Sequence, residues 1–243
     1  MNTTHFGYER VDEGEKAARV GAVFSSVAGR YDLMNDLMSG GLHRLWKRFA
    51  VLAARLRPGD RVLDLAGGTG DLARLALARG ACEVVVADLN PRMLEIGRDR
   101  LLDRCPAGGV RFVGADAESL PFAAESFDCV LMGFGLRNVT RLERALEAVR
   151  ECLRPSGRFV VLEFSQVTVP ALRPLYDRYS FSVLPRIGRL VTGDEAAYRY
   201  LVESIRMHPD QDALLEMMQA AGFRQCRYFN LTAGVVAVHR GWR

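Results

Sequence analysis

The stretch Arg61-Val62-Leu63-Asp64-Leu65-Ala66-Gly67-Gly68-Thr69-Gly70-Asp71 restricts the fold more than any other part of the chain. A short apolar run ends in a carboxylate, breaks into a glycine loop, and gives way at Asp71 to a helical pattern. That is a strand, a tight turn and a helix N-terminus. Glycine lets the backbone turn sharply and approach a ligand closely. The helix start adds free N–H groups and the positive end of a dipole. In an open α/β sheet such a loop binds a nucleotide-like cofactor.

The rest of the chain agrees with a sheet of that kind. Strands are expected at 61–66, 83–88, 110–114, 127–134 and 158–164, with helices at 71–79, from Pro91, and at 142–153 between them. Alternating apolar strands and amphipathic helices mean a mainly parallel sheet covered on both faces, with right-handed crossovers. Ahead of this core, residues 1–20 read as a loosely ordered lead-in. Helical spacing then joins Val23, Phe24 and Val27 to Tyr31, Leu33, Met34, Leu37 and Met38. A further helix over 42–56 carries Leu45, Trp46, Phe49, Leu52 and Leu56 on one stripe, with Arg44, Lys47 and Arg48 off it. Beyond Phe164 the rhythm changes. Residues 166–192 are long for a connection and rich in aromatic, Leu and Pro residues, as expected of a segment that covers a substrate. Helices at 194–205 and 210–221 follow, and strands at 224–229 and 233–239 suit a closing hairpin. The expected whole is one domain over 1–243. It has an N-terminal helical segment at 1–57, a cofactor-binding core at 58–165, a covering insert at 166–209, and a C-terminal helix with closing strands at 210–243.

The glycines alone do not choose the cofactor. Gly68, Gly70 and Ala73 also fit the pattern of nicotinamide sites, and Asp88 lies near the distance of a ribose-binding acid. Three carboxylates favour S-adenosyl-L-methionine. Asp64 precedes the loop, where it fixes the turn and reaches a ligand ammonium directly or through water. Asp88 ends the second strand, placed for ribose hydroxyls, and Asp116-Ala117 follows the third, placed for an adenine edge. All three acids fall at the carboxyl edge of successive strands, the crevice where such folds bind ligands. Each acid alone is equally explained as a helix cap; the three together are not.

Composition excludes several classes. A hydrophobic fraction of 49% supports a folded core, and a net charge of +4 is too small to argue for nucleic acid. The five cysteines, Cys82, Cys105, Cys129, Cys152 and Cys226, have no metal-type spacing and read as reduced thiols. No metal site is expected. The polar N-terminus has no signal-peptide core, and no apolar run approaches the ~20 residues that span a bilayer. A cytoplasmic protein is expected, at most peripheral to the inner face of the membrane.

Longer stretches resemble one family within the class I methyltransferases: the quinone-biosynthesis C-methyltransferases acting on demethylmenaquinol and polyprenyl-methoxy-benzoquinol. They are Val23-Phe24-Ser25-Ser26-Val27-Ala28 with Tyr31-Asp32-Leu33-Met34-Asn35-Asp36, His43-Arg44-Leu45-Trp46-Lys47, residues 62–71, Phe134-Gly135-Leu136-Arg137-Asn138-Val139, Leu162-Glu163-Phe164-Ser165, residues 198–211, and Asn230-Leu231-Thr232-Ala233-Gly234-Val235-Val236. The glycine loop is common to many methyltransferases, whereas the 134–139 and 203–211 stretches are far more specific. The resemblance implies a Rossmann-like fold with a seven-stranded, mostly parallel sheet whose last strand is antiparallel. It also implies S-adenosyl-L-methionine as methyl donor and cofactor contacts at Thr69, Asp88, Asp116, Ala117 and position 133. Many relatives resemble a Ser at the last of these; this chain has Gly133, which leaves only backbone to make the contact. Asp64, Gly67, Gly68, Gly70 and Leu89 complete the expected cofactor set.

A quinol ring carbon becomes nucleophilic when an adjacent hydroxyl ionises, so a base, or a cation that stabilises the phenolate, is required. Arg137 and Asn138 follow the fourth strand at the edge that carries the methyl group. Tyr31 belongs to a polar cluster in the N-terminal segment, and His43 has a suitable pKa near a helix start. These four are the candidate catalytic residues, although capping or packing explains His43 better than a role as base. Tyr176, Tyr179, Phe181 and Leu184 in the insert suit an apolar tunnel for a prenyl tail, and ordinary packing would use them too. Partners implied are a prenylated quinol and either the membrane surface or a quinone-synthesis complex, with a homodimer left open. A methyltransferase of another aromatic compound and a nicotinamide oxidoreductase are the alternatives. A nucleic-acid amino-methyltransferase is disfavoured, because Gly133-Phe134-Gly135-Leu136 lacks the proline-rich run those enzymes carry after strand four.

Overall fold

The computed structural model describes residues 3–81, 83–101, 109–183, 185–186 and 195–243, except for the side chains of Val27, Arg30, Tyr31, Asp32, Leu37 and Met38. The core is a seven-stranded sheet in the order β5-β4-β3-β6-β7-β9-β8. Its strands are β3 (Arg61–Leu65), β4 (Glu83–Asp88), β5 (Val110–Gly114), β6 (Phe127–Gly133), β7 (Leu153–Phe164), β8 (Arg224–Leu231) and β9 (Val236–Trp242). β3 through β7 pair in parallel, and β9 runs antiparallel to both β7 and β8. The central strands are buried on both faces, which is why they read as continuous apolar runs rich in Val and Leu instead of alternating ones. β7 begins at Leu153, ahead of the expected residue 158, and takes the Pro155-Ser156-Gly157 segment inside the strand. The register slips between Phe127↔Leu153 and Cys129↔Arg158, and Ser156 takes φ +63°.

On one face of the sheet lie α3 (His43–Ala53), α4 (Asp71–Leu77) and α5 (Pro91–Leu101). On the other lie α6 (Leu142–Cys152) and the helix Gln211–Ala220. That last helix is capped by Asp210, whose carboxylate accepts the Ala213 N–H at 2.9 Å. Cys129 and Cys152 are buried core thiols, pushed up to about 12 by burial; Cys82 and Cys105 lie outside the described residues.

The N-terminal segment differs from expectation. In place of a loose lead-in, β1 (Thr3–Phe6) and β2 (Glu9–Asp12) form a hairpin that leads into α1 (Glu13–Val27). Its anchors are tertiary and therefore invisible in local pattern. The Tyr8 N–H donates to Glu203 Oε2 at 3.1 Å, Phe6 stacks on Tyr200 with ring centroids 4.2 Å apart, and the buried Lys16 ammonium donates to the Val139 carbonyl at 2.9 Å. α2 (Tyr31–Ser39) follows.

α3 is also turned from the expected face. Leu45 is 56% exposed and Leu52 54%, while His43, Trp46, Lys47, Ala50 and Val51 face inward. The helix carries two apolar stripes, and the inner one is chosen by Trp46, whose ring packs against Phe134 and Phe164. Lys47 is drawn inside by Asp71, the first residue of α4, at 2.6 Å.

The insert after β7 contains a short helix, α7 (Arg173–Arg178), and the turn Tyr179–Val183. α8 (Glu195–Met207) then returns beneath it, and the capped helix Gln211–Ala220 is α9.

Candidate active site

The loop after β3 is shaped by close packing. Gly70 caps α4 at φ +79°, and a Cβ there would stand 2.4 Å from Leu101 Cδ1. From below, Gly97 of α5 presses on the loop so closely that a Cβ would meet the Gly68 carbonyl oxygen at 2.9 Å. Asp64 lies under this turn with no exposure, and one carboxylate oxygen accepts the Ala73 N–H at 2.8 Å. It fixes the turn as expected. It does not border the cavity above, so the expected direct reach to a ligand is not part of this arrangement.

That cavity, ≈ 720 Å³, opens at the carboxyl edge of β3, β4, β5 and β6 and has the size of a cofactor site. Asp88, Leu89, Asp116, Ala117, Gly68 and Gly133 border it together with Ala66, Phe134 and Asn138. The Asp88 carboxylate accepts the Gly68 N–H at 2.9 Å and the Asn90 N–H at 2.8 Å. Burial pushes this carboxyl above the ordinary range, against the pull of its backbone bonds. Asp116 accepts the Glu118 N–H at 2.9 Å, a turn bond and not a helix cap. At Gly133 a Cβ would meet Leu72 Cδ1 at 2.9 Å, so a side chain there requires Leu72 to move. Gly67 and Gly70 shape the turn without bordering the cavity. Thr69 is buried and faces a different, basic groove of ≈ 430 Å³, with His43, Arg44, Lys47, Arg48, Arg74 and Arg100.

α1 forms the roof. Ala17, Val20, Gly21 and Phe24 face the cavity, and Asn90 straps the helix down by donating to the Gly21 carbonyl at 3.2 Å and to Ser25 Oγ at 2.9 Å. Sequence reasoning passed over Asn90, which also caps α5 by accepting the Arg92 and Met93 N–H groups.

A second, much smaller cavity of ≈ 20 Å³ adjoins the first across Phe24 and Phe134, which border both. Arg137 faces this small cavity and Asn138 the large one. Arg137 Nη1 pairs with Glu163 Oε1 at 2.9 Å, with side chains 4% and 2% exposed respectively. Glu163 also accepts the backbone N–H groups of Arg137 and Phe164, at 3.2 and 2.9 Å. It is the residue that holds Arg137. Asn138 Oδ1 accepts the Tyr200 hydroxyl at 2.9 Å, and burial pushes that phenol up to about 12. Tyr200 therefore bridges the two cavities; it lies in the 198–211 stretch but nothing local marked it. His208 lies buried in the field of Glu163 and Arg137, with neither ring nitrogen partnered, and burial lowers it to about 4. His43 is pinned by Asp36 at 2.8 Å at the start of α3 and borders neither cavity of this pair. Tyr31 starts α2, and its side chain lies outside the described residues.

In the insert, Tyr176 and Tyr179 line a ≈ 30 Å³ cavity with Trp46, Phe164 and Ile205. The Arg206 guanidinium lies over the rings of Tyr176 and Phe181 at 5.2 and 5.6 Å. Leu184 lies outside the described residues.

Comparison with known proteins adds the decisive observation: a family model for the ubiE/COQ5 methyltransferases matches residues 12–243. The chain belongs to the ubiE/COQ5 methyltransferase family. The methyltransferase is 57% identical to the ubiquinone/menaquinone biosynthesis C-methyltransferase of Methylococcus capsulatus, covering 100% of this chain and 98% of that one. It is 56% identical to the protein of the same name from Teredinibacter turnerae, covering 99% and 97%. Among solved structures it is similar in fold to an S-adenosylmethionine-dependent methyltransferase from Thermotoga maritima, a possible histamine N-methyltransferase, with TM-score 0.61, 21% identity and coverage of 91% and 98%. A second such methyltransferase, from Aquifex aeolicus, gives TM-score 0.60 at 13% identity, covering 87% and 97%. The methyltransferase therefore uses S-adenosyl-L-methionine, and the nicotinamide alternative is set aside. The large cavity suits that cofactor in volume, in its acids at Asp88 and Asp116, and in the apolar Leu89 and Ala117 beside them.

Proposed function

We infer that this enzyme transfers the methyl group of S-adenosyl-L-methionine to a ring carbon of a prenylated quinol in ubiquinone and menaquinone biosynthesis. The observation that carries the reading is 56–57% identity, over nearly the full length, to C-methyltransferases named for that biosynthesis. When bound, the cofactor supplies an electrophilic methyl carbon. The protein's own task is to hold a ring carbon in line with it, to favour the ionised hydroxyl beside that carbon, and to take away the ring proton afterwards. Asp88 and Asp116 orient the cofactor from the sheet edge. α1 excludes water from above. Arg137, fixed by Glu163, offers its positive charge to the phenolate from the adjoining cavity, and Asn138 stands at the junction under the control of Tyr200.

The apolar insert supports delivery of the prenyl tail from a lipid surface. Leu172, Leu175 and Phe181 stand exposed beside Arg173 and Arg178. No helix among the described residues is long and apolar enough to cross a membrane.

Incubation with methyl-labelled cofactor and two reduced acceptors, a demethylnaphthoquinol and a methoxy-benzoquinol, tests the reading. Label in the ring of either acceptor is expected. Arg137→Ala should abolish transfer and leave S-adenosylhomocysteine affinity within a few fold. Absence of label from both acceptors in the wild-type enzyme would overturn the assignment.

A further inference from the structure

The small cavity between α1, α2 and α8 is mostly apolar: Phe24, Phe134 and Phe164 supply much of its wall. Phe134 and Phe164 have ring centroids 4.8 Å apart. Phe134 sits between the two cavities at φ +59°, a conformation that costs energy in a bulky residue and recurs at functional sites.

Two residues of this wall each carry a buried polar atom without a partner, Asn35 Nδ2 and Arg137 Nε. Both are donors and neither can accept. Buried donors are ordinarily satisfied. Two such donors on residues that line one enclosed space call for an acceptor that arrives with a ligand. The space of ≈ 20 Å³ has room for one oxygen-sized group. Glu163 already engages the Nη1 side of the guanidinium, which leaves the Nε edge for the ligand. Ring atoms attached to that oxygen would then lie at Phe24 and Phe134, on the way to the cofactor cavity.

We propose that Asn35 Nδ2 and Arg137 Nε together form an oxyanion site, which takes the hydroxyl oxygen of the methyl acceptor and holds it as the phenolate. The O–H bond breaks, the proton leaves to water, and the electron pair stays on the oxygen between the two donors, which strengthens the ring carbon as a nucleophile. Fixed donors aimed at developing charge in a water-poor pocket are an effective form of catalytic stabilisation. Asn35 is thereby a catalytic residue in contact with substrate, on a helix that sequence pattern alone ties to packing. Tyr200, on the opposite wall, keeps its hydroxyl on Asn138 and does not compete for the oxygen. This inference rests on the quinol methyltransferase reading above.

The test combines kinetics with a chromophoric probe. A nitronaphthol, whose absorbance reports its ionisation, is bound to the enzyme in the presence of S-adenosylhomocysteine and titrated with base. In the wild type the bound probe should ionise at least about one pH unit below the free compound. In Asn35→Leu at least half of that shift should vanish, and kcat with quinol should fall about 10- to 100-fold, the range of a hydrogen bond to a charged group. The kcat–pH profile should move to higher pH, with activity partly restored in alkali; a purely structural residue would not move it in that way. Asn35→Asp keeps the shape and opposes an anion, so it should raise the probe's ionisation pH further. It decides the matter if Asn35→Leu fails to bind S-adenosylhomocysteine. Unchanged probe titration and pH profile in the folded variants would overturn the oxyanion site and leave the methyltransferase reading intact. A wild-type enzyme that methylates no quinol would remove that reading and this inference with it.

Discussion

Asp64→Asn tests how the glycine loop is supported. The Asp64 carboxyl is wholly buried, with one oxygen on the Ala73 N–H and the other without a partner. Burial pushes it up to about 7 from an ordinary value of 3.8, opposed only in part by that bond. The folded state therefore holds a proton that the unfolded chain releases between those two values. Stability contributed by this group is complete below pH 4 and is lost as pH rises to about 7. A shift of about 3 units at ~1.4 kcal/mol each makes the loss about 4 kcal/mol. Asparagine keeps the acceptor for Ala73 and carries no charge. Its amide adds a donor in a site without an acceptor, at a cost of about 1–3 kcal/mol. At pH 8 the variant should be more stable by about 1–3 kcal/mol, a rise in Tm of roughly 2–12 °C at this chain length. At pH 5 the wild type has regained about 2.7 kcal/mol, so the advantage should disappear or reverse. The assay is thermal unfolding of both proteins without ligand from pH 5 to 8. Melting curves that stay parallel across that range would refute a strained, buried Asp64.

His208 should show the opposite slope. Its imidazole is lowered to about 4 from 6.5 by burial, so stability is lost as pH falls from about 6.5 to 4, by about 3 kcal/mol in all. His208→Gln should flatten the acid limb of a denaturant-melt series, and an unchanged limb would count against it. Glu163→Gln should leave the Arg137 charge buried without its counter-charge and destabilise by about 3–5 kcal/mol, visible in urea unfolding together with loss of turnover. Retained turnover would mean that Arg137 does not need its partner. Asp88→Ala removes the acceptor for the Gly68 and Asn90 N–H groups as well as the acid in the cavity. Calorimetric affinity for S-adenosylhomocysteine should drop about 10- to 100-fold, and an unchanged affinity would place the ribose elsewhere.

Sequence by itself determined the sheet and its cofactor edge. Strand-forming runs buried on both faces leave a strong local signal, and the carboxylates Asp88 and Asp116 fall where those runs end, so their place at the cavity follows from chain order alone. The Phe134-Gly135-Leu136-Arg137-Asn138-Val139 run likewise marked Arg137 and Asn138. What local pattern cannot carry is the choice between equivalent faces and the pairing of distant groups. α3 offers two apolar stripes, and only packing of Trp46 on Phe134 and Phe164 selects one, leaving Leu45 and Leu52 in solvent. The polar residues before α1 look unstructured until Glu203, Tyr200 and Val139 supply their partners from far along the chain. His43 sits near a helix start in sequence, where capping or packing explains it; the fold pairs it with Asp36 and leaves it bordering neither the large cavity nor the small one beside it. Asn35 belongs in sequence to a polar cluster on a helical segment, and only the meeting of α2 with Arg137 and Phe164 places it, with its unpartnered amide donor, on the wall of the small cavity. Local sequence sets which segments can form strands and helices, because backbone preference and burial period are short-range. The catalytic arrangement depends on groups brought together from opposite ends of the chain, and only the tertiary structure decides that.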